Sequence, residues 1–193
     1  MDAAHGSELP EPPPNRAPRY SSRQLPAYRY VPGTHPHPRR DPAGHSYEAG
    51  DTRHPAWDPA DWRHLQDWLY GVDLFNRFYF WEAHEAWEGL WVSTPRDEAP
   101  SLLLQGLIQV AAALLKTHMG VIGGARTLSA EGIDKLRRVA ARHDHLLGLD
   151  LLATIAELAR YFEPIARDEL PRIDGGVPLL RLPANARGVP ERR

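Results

Sequence analysis

The sequence contains no cysteine, and its charges nearly balance, with a formal net charge of −2 at pH 7. Without cysteine the chain forms no disulfide, no thiolate metal site and no thiol nucleophile. A net charge so close to zero offers no electrostatic attraction to nucleic acid or to an anionic membrane surface. We therefore predict no nucleic-acid partner and no membrane partner.

Long apolar runs and a secretory signal are also missing. No segment approaches 18 consecutive apolar residues, so the sequence predicts no membrane-spanning helix. Residues 1–14 are acidic and rich in proline, and they lack the basic and then apolar pattern of a secretory signal. These absences predict a cytoplasmic protein. A length of 193 residues predicts one domain with tails.

Proline divides the chain, because ten of its 19 prolines precede residue 43. Residues 1–24 have few apolar side chains to bury, which predicts a disordered tail. Residues 25–57 are also proline-rich, but they carry Tyr28, Tyr30 and several histidines. This composition predicts an extended arm that packs on the core, with a solvated linker as the alternative. Residues 164–193 return to proline and glycine and are predicted to form an extended C-terminal tail.

Residues 58–163 show a helical pattern. Asp58 and Pro59 provide an N-cap followed by proline at the first helical position. Apolar residues then recur at helical spacing, and we find neither strand-like alternation nor an internal repeat. The sequence predicts an all-α fold, a single compact bundle of about five helices, at about 58–76, 79–92, 100–118, 124–143 and 151–164.

The third predicted helix is unusually apolar. It has no charged residue from 101 to 115, which predicts a position at the centre of the bundle. Its strongly polar side chains are Gln105 and Gln109, which lie four residues apart and therefore on one face. Buried amides need hydrogen-bond partners.

The second predicted helix carries the most informative segment, Phe-Trp-Glu-Ala-His-Glu-Ala-Trp-Glu-Gly-Leu-Trp at 80–91. At about 100° per residue, His84 lies about 40° from Phe80 and falls within the predicted buried face. Glu88 lies one turn further, at the edge of that face. We predict that His84 and Glu88 meet Gln105 and Gln109, with Trp91 as an apolar wall.

Glu82 and Glu85 are predicted to point away from this face. A di-iron bundle site needs several inward glutamates and Glu-x-x-His pairs from facing helices. The sequence offers no such set, so we exclude that class of site.

Three roles for the polar group stay open. His84 and Glu88, at i and i+4, have the ligand types and spacing for a divalent metal. Two ligands are too few, so others would come from water or from a histidine elsewhere, namely His35, His37, His45 or His118.

In the second role Glu88 orients His84 as a general acid or base while Gln105 and Gln109 hold a substrate. No core nucleophile supports this, and the sequence leaves open whether the protein is an enzyme. In the third role the four residues form a closed hydrogen-bond network that fixes the packing of two helices.

Several motifs resemble those of a known family. His84, Glu88 and Trp91 follow a His-x-x-x-Glu-x-x-Trp pattern, preceded by Phe-Asn at 75–76 and followed by Leu-Gln-Gly-Leu-Ile-Gln at 104–109 and Gly-Gly-Ala-Arg at 123–126. In this order the motifs resemble a bacterial and archaeal family, number 309 among the domains of unknown function. The resemblance covers about residues 70–162, and residues 36–46 are similar to extensions on some longer members.

The resemblance implies a compact helical fold and a metal-binding motif at His84 and Glu88, but it implies no reaction. One departure is Phe78, where the family pattern leads us to expect a small residue such as glycine. We predict a site for a divalent metal of unspecified identity or a small polar ligand, which the arm covers. The competing class is a non-catalytic helical scaffold, with a homodimer as its possible form.

Overall fold

The computed structural model describes residues 7–14, 16–50 and 54–186. Within these residues the α-helices are α1 Gln66–Asn76, α2 Phe80–Val92, α3 Ala99–His118, α4 Ile122–Ala140 and α5 Leu151–Phe162. Short 3-10 helices lie at Pro59–His64, Glu163–Arg167 and Ala184–Ala186. The predicted all-α bundle is confirmed. The parts of the predicted tails and arm at 1–6, 15, 51–53 and 187–193 lie outside the described residues.

Helix α4 begins two residues and ends three residues earlier than predicted, and two larger differences concern the start of α1 and the segment after α4. Asp58 does cap a helix, accepting a hydrogen bond from the Ala60 N–H at 2.8 Å, but that helix is the short 3-10 segment, and α1 begins only at Gln66. After α4 a small antiparallel hairpin pairs β1 His145–Leu146 with β2 Leu149–Asp150. Strands of two residues are too short to show alternation in a sequence. The turn at Leu147 and Gly148 has positive φ at both residues, as a type I′ hairpin turn requires.

The apolar helix α3 lies between α2 and α4, as the absence of charge predicts. Its contact with α4 is close because glycines face each other there. A Cβ atom added to Gly132 would lie 2.8 Å from the carbonyl oxygen of Gly106. Larger residues at these two positions would push the helices apart.

By length and composition alone, α3 is apolar enough to cross a membrane. Most of α3 is buried inside the protein. The buried core helix of a soluble protein can have the same length and apolar composition as a membrane-spanning helix. The sequence predicted no spanning helix because no run of consecutive apolar residues is long enough. Gln105 and Gln109 interrupt the apolar run of α3, although its mean hydropathy is high.

The segment before the arm is held on α1 by one carboxylate. The side chain of Asp73 is fully buried and accepts hydrogen bonds from the Tyr20 N–H at 2.8 Å, the Ser21 N–H at 2.9 Å and the Ser21 hydroxyl at 2.8 Å. Arg19 adds an ion pair at 3.0 Å. Tyr20 and Leu9 are also buried in the core. The prediction of disorder for residues 1–24 is therefore wrong for this described part.

The C-terminal segment is held on the same helix. The amide of Asn76 donates to the Leu180 carbonyl at 2.8 Å and accepts from the Leu180 N–H at 2.9 Å. Val177 and Leu180 are buried against the bundle. Thus α1 anchors the chain segments on both sides of the helical region through two polar side chains that are themselves buried.

The turn between α1 and α2 contains Phe78, whose φ is 65°. This left-handed conformation is where glycine is favoured, which agrees with the small residue expected there. Phe78 is fully buried, packs 5.7 Å from the Phe80 ring centroid and lies under the Arg16 guanidinium at 4.9 Å. Burial of the aromatic ring compensates for the unfavourable backbone conformation.

We expect Phe78→Gly to lower the free energy of unfolding by about 2 kcal/mol. Relief of the left-handed backbone contributes about 1–2 kcal/mol, whereas loss of a buried aromatic side chain costs about 3–5 kcal/mol. Urea denaturation measures the difference. Glu48→Gly is the control, because Glu48 has φ 64° but is exposed, and its replacement should change stability by less than about 1 kcal/mol. A Phe78→Gly protein as stable as the wild type would contradict this explanation of the turn.

Candidate functional site

The buried face of α2 is displaced from the one that the sequence predicted. Phe80, Ala83, Trp87 and Leu90 are fully buried. On a helical wheel these residues centre about 40° to the side of Phe80 that lies away from His84. The His84 side chain is therefore at the boundary of the face, where it is 29% exposed, and not within the core as predicted.

His84, Glu85 and Glu88 form a cluster at this boundary, which we call the α2 cluster. His84 Nδ1 lies 3.6 Å from a Glu85 carboxylate oxygen, and His84 Nε2 lies 3.8 Å from one of Glu88. One ligand atom from each residue can be chosen so that all lie within 4.8 Å of one another. Glu88 is 45% exposed and Glu85 is 23% exposed. An imidazole and two carboxylates at this spacing can hold a metal ion.

Glu85 was wrongly predicted to point away from the site. Its backbone position lies about 100° from that of His84, but the flexible side chain brings its carboxylate to the imidazole. Its second oxygen lies 3.2 Å from Arg39 Nη1 on the arm. The arm therefore borders the α2 cluster and places a cation beside the Glu85 carboxylate.

The two glutamines of α3 do not join this cluster. Both are half-buried, and Gln109 donates a hydrogen bond to Glu131 on α4 at 2.6 Å. Within the described part of the chain, no hydrogen bond links Gln105 or Gln109 to His84 or Glu88. The predicted meeting of these four residues is therefore wrong, and Gln109 instead contacts Glu131 on α4.

Trp91 is half-buried next to the cluster on α2, and Arg96 lies over its ring at 6.0 Å from the centroid. Trp91 lies one turn after Trp87 and packs against the hydrophobic core. It borders the surface and does not form the wall of an interior chamber.

The histidines considered as further metal ligands lie elsewhere in the described structure. His45 contacts Glu82 at 3.1 Å, and His118 contacts the Ser7 carbonyl at 2.8 Å. His35 stacks on the Tyr28 ring at 4.9 Å, and His37 packs against Trp81 at 5.5 Å. Among described residues, the α2 cluster therefore draws its ligands from α2 alone.

Glu82 is the functional candidate that sequence reasoning missed. It was predicted to face solvent, but it is 5% exposed, because residues 28–46 of the arm cover this side of α2. The aromatic residues of the arm indicated that it would pack somewhere. Nothing in the local pattern of α2 identified the side that it would cover.

Residues 68–128 match a family described as Domain of unknown function (DUF309). The matched segment begins within α1, contains α2 and α3 and ends within α4, so it includes the α2 cluster and all the helical motifs noted in the sequence. None of the curated proteins matches the chain.

Proposed function

We propose that this protein, whose residues 68–128 match the family described as Domain of unknown function (DUF309), binds a divalent metal ion through His84, Glu85 and Glu88. The observation that supports this proposal is the convergence of three ligand atoms to within 4.8 Å on one helix. Neutral imidazole with carboxylate is a donor set that suits zinc and other first-row transition metals. Water would complete the coordination, since the cluster is partly exposed.

The charges around the α2 cluster favour such an ion. Two carboxylates lie beside one imidazole, and Arg39 is the cation that contacts Glu85. A divalent ion would neutralise both carboxylates more fully than one guanidinium does. The dehydration penalty is moderate here, because the ligands keep part of their exposure to water.

Three protein ligands with further positions open to water are the arrangement found at catalytic metal sites, where the ion lowers the pKa of bound water. In this chain, His84 and Glu88 would fix the ion on the helix, while Glu85 would connect it to the arm through Arg39. The other predicted ligand residues, Gln105, Gln109 and Trp91, have less support, because no hydrogen bond links them to the α2 cluster among the described residues and Gln109 donates instead to Glu131 on α4. A cytoplasmic location remains part of the proposal.

Isothermal titration of chelator-treated, untagged protein with Zn²⁺ and Mn²⁺ tests the metal proposal. We expect His84→Ala/Glu88→Ala to weaken the binding of the preferred ion by at least about 100-fold. Loss of a single outer-shell partner already costs about 10- to 100-fold at metal sites, and this variant loses two direct ligands.

Asp61→Ala/His64→Ala is the matched control. It removes another His–carboxylate pair, in which His64 Nδ1 lies 2.6 Å from an Asp61 oxygen, and it should bind the metal like the wild type. Equal affinity in the wild type and in the His84→Ala/Glu88→Ala variant would refute the proposal.

A further inference from the structure

A second site lies under the arm, where Glu82 has one carboxylate oxygen without a partner. Its Oε1 accepts a hydrogen bond from the Tyr30 N–H at 2.9 Å and lies 3.1 Å from His45 Nε2. Its Oε2 is buried and has no hydrogen-bond partner among the described residues. Leaving a buried charged acceptor unpaired is strongly unfavourable, so this oxygen indicates a missing donor.

Glu82 lines a cavity of about 220 Å³ between the arm and helices α1 and α2. Tyr70, Trp81 and Ser46 also form parts of its wall. Ligand pockets for drug-sized molecules are about 300–1,000 Å³, so this cavity suits only a small molecule.

The charged side chains of the cavity leave one negative charge in excess. Its wall contains two arginines and three carboxylates, which sum to −1 with His45 neutral; they are Arg23, Arg39, Asp67, Glu82 and Glu85. Arg23 pairs with Asp67, and Arg39 pairs with Glu85. The excess charge therefore belongs to Glu82, whose described polar contacts are the Tyr30 N–H and His45.

The aromatic wall adds no further charge. Burial raises the pKa of the Tyr70 phenol, which stays neutral and donates its hydroxyl to the Gln24 carbonyl at 2.8 Å. Aromatic ring faces attract cations. The Arg23 guanidinium already lies over the Tyr70 ring at 5.5 Å from its centroid, so Trp81 is the ring of this wall that favours the same sign of charge as Glu82.

We propose that this cavity binds a small primary amine in its ammonium form, with an N–H donating to Glu82 Oε2. A metal ion fits less well, because the Glu82–His45 pair supplies too few ligands. The inference does not depend on the metal proposal, since Glu82 is not one of the three ligands of the α2 cluster. Glu85 borders both sites, so the two ligands are expected to influence each other through Arg39.

Titration of the full chain with methylammonium tests this proposal, observed by the ¹H–¹⁵N resonance of Tyr30, whose N–H donates to Glu82. We expect saturable shifts of this resonance in the wild type. Glu82→Gln keeps an acceptor for Tyr30 but removes the charge, and it should weaken methylammonium binding by about 10- to 100-fold, as expected for loss of a hydrogen bond to a charged group. Asp134→Asn, an exposed change on α4, should bind like the wild type.

Tetramethylammonium provides a test that needs no variant. It carries the same charge but has no N–H, so we expect no saturable shift of the Tyr30 resonance. Binding of tetramethylammonium as tight as that of methylammonium, or no response to methylammonium in the wild type, would overturn the proposal. His84→Ala/Glu88→Ala should still bind methylammonium, and Glu82→Gln should still bind the metal, so failure of one proposal is distinguishable from failure of the other.

Discussion

Replacing Asp73 with alanine is expected to lower the free energy of unfolding by about 3–5 kcal/mol, because several buried hydrogen bonds to a charged group, each contributing about 1.5–3 kcal/mol, are lost together. Asp73 accepts hydrogen bonds from two backbone N–H groups and one hydroxyl, and it pairs with Arg19. In the variant all these donors lose their acceptor while Tyr20 and Ser21 remain in a buried position. Urea denaturation followed by tryptophan fluorescence measures the loss.

The control for this prediction is Asp134→Ala, because Asp134 is exposed on α4. Surface substitutions of this kind usually change stability by less than about 0.5 kcal/mol. Limited proteolysis gives a second measurement, since the Asp73→Ala protein should be cleaved faster within residues 16–24. Similar stability losses for the two aspartate variants would contradict the anchoring role of Asp73.

Trp87→Ala is expected to cost about 3–5 kcal/mol, the usual range for truncation of a buried aromatic residue. The Trp87 ring is fully buried and lies 5.9 Å from Trp68 and 6.0 Å from Phe75. Its indole N–H contacts the Trp68 carbonyl at 3.4 Å. The indole also fills the space beside Gly71, where an added Cβ atom would overlap it. Thermal and urea denaturation measure the effect.

Trp91→Ala is the matched control on the same helix, one turn further along. Trp91 is only half-buried and carries Arg96 over its ring. Less apolar surface is lost there, so we expect a cost below about 2 kcal/mol. Equal costs at the two positions would mean that the boundary of the buried face of α2 is not where the structure places it.

The helices themselves could be predicted because their signals are local. Helical spacing of apolar residues located α2 and α3 to within one residue of their observed ends. The uncharged stretch of α3 also indicated its central position correctly. Even the departure at Phe78 was informative, because the expected glycine corresponds to a backbone with positive φ.

The polar contacts could not be predicted, because they depend on distant parts of the chain. Asp73 is buried by residues 19–21, and Glu82 is buried by the arm; no periodicity within α1 or α2 encodes these contacts. The helical wheel for α2 assumed that only one face of the helix is buried. In the structure the bundle covers one side of α2 and the arm covers another. For this reason His84 was predicted to be more buried, and Glu82 more exposed, than the structure shows.

The two proposed sites share one structural element, the arm. Arg39 of the arm contacts Glu85 in the α2 cluster, and His45 of the arm contacts Glu82 in the cavity. Binding at either site therefore changes the charge that faces the arm.

Anomalous diffraction from crystals grown with Zn²⁺ tests the central claim most directly, because it locates the ion without relying on activity. We predict that the strongest anomalous peak lies about 2.0–2.2 Å from one ring nitrogen of His84 and from carboxylate oxygens of Glu85 and Glu88, the distances that zinc adopts with these ligands. Zinc bound at other residues, with no peak at the α2 cluster, would contradict it.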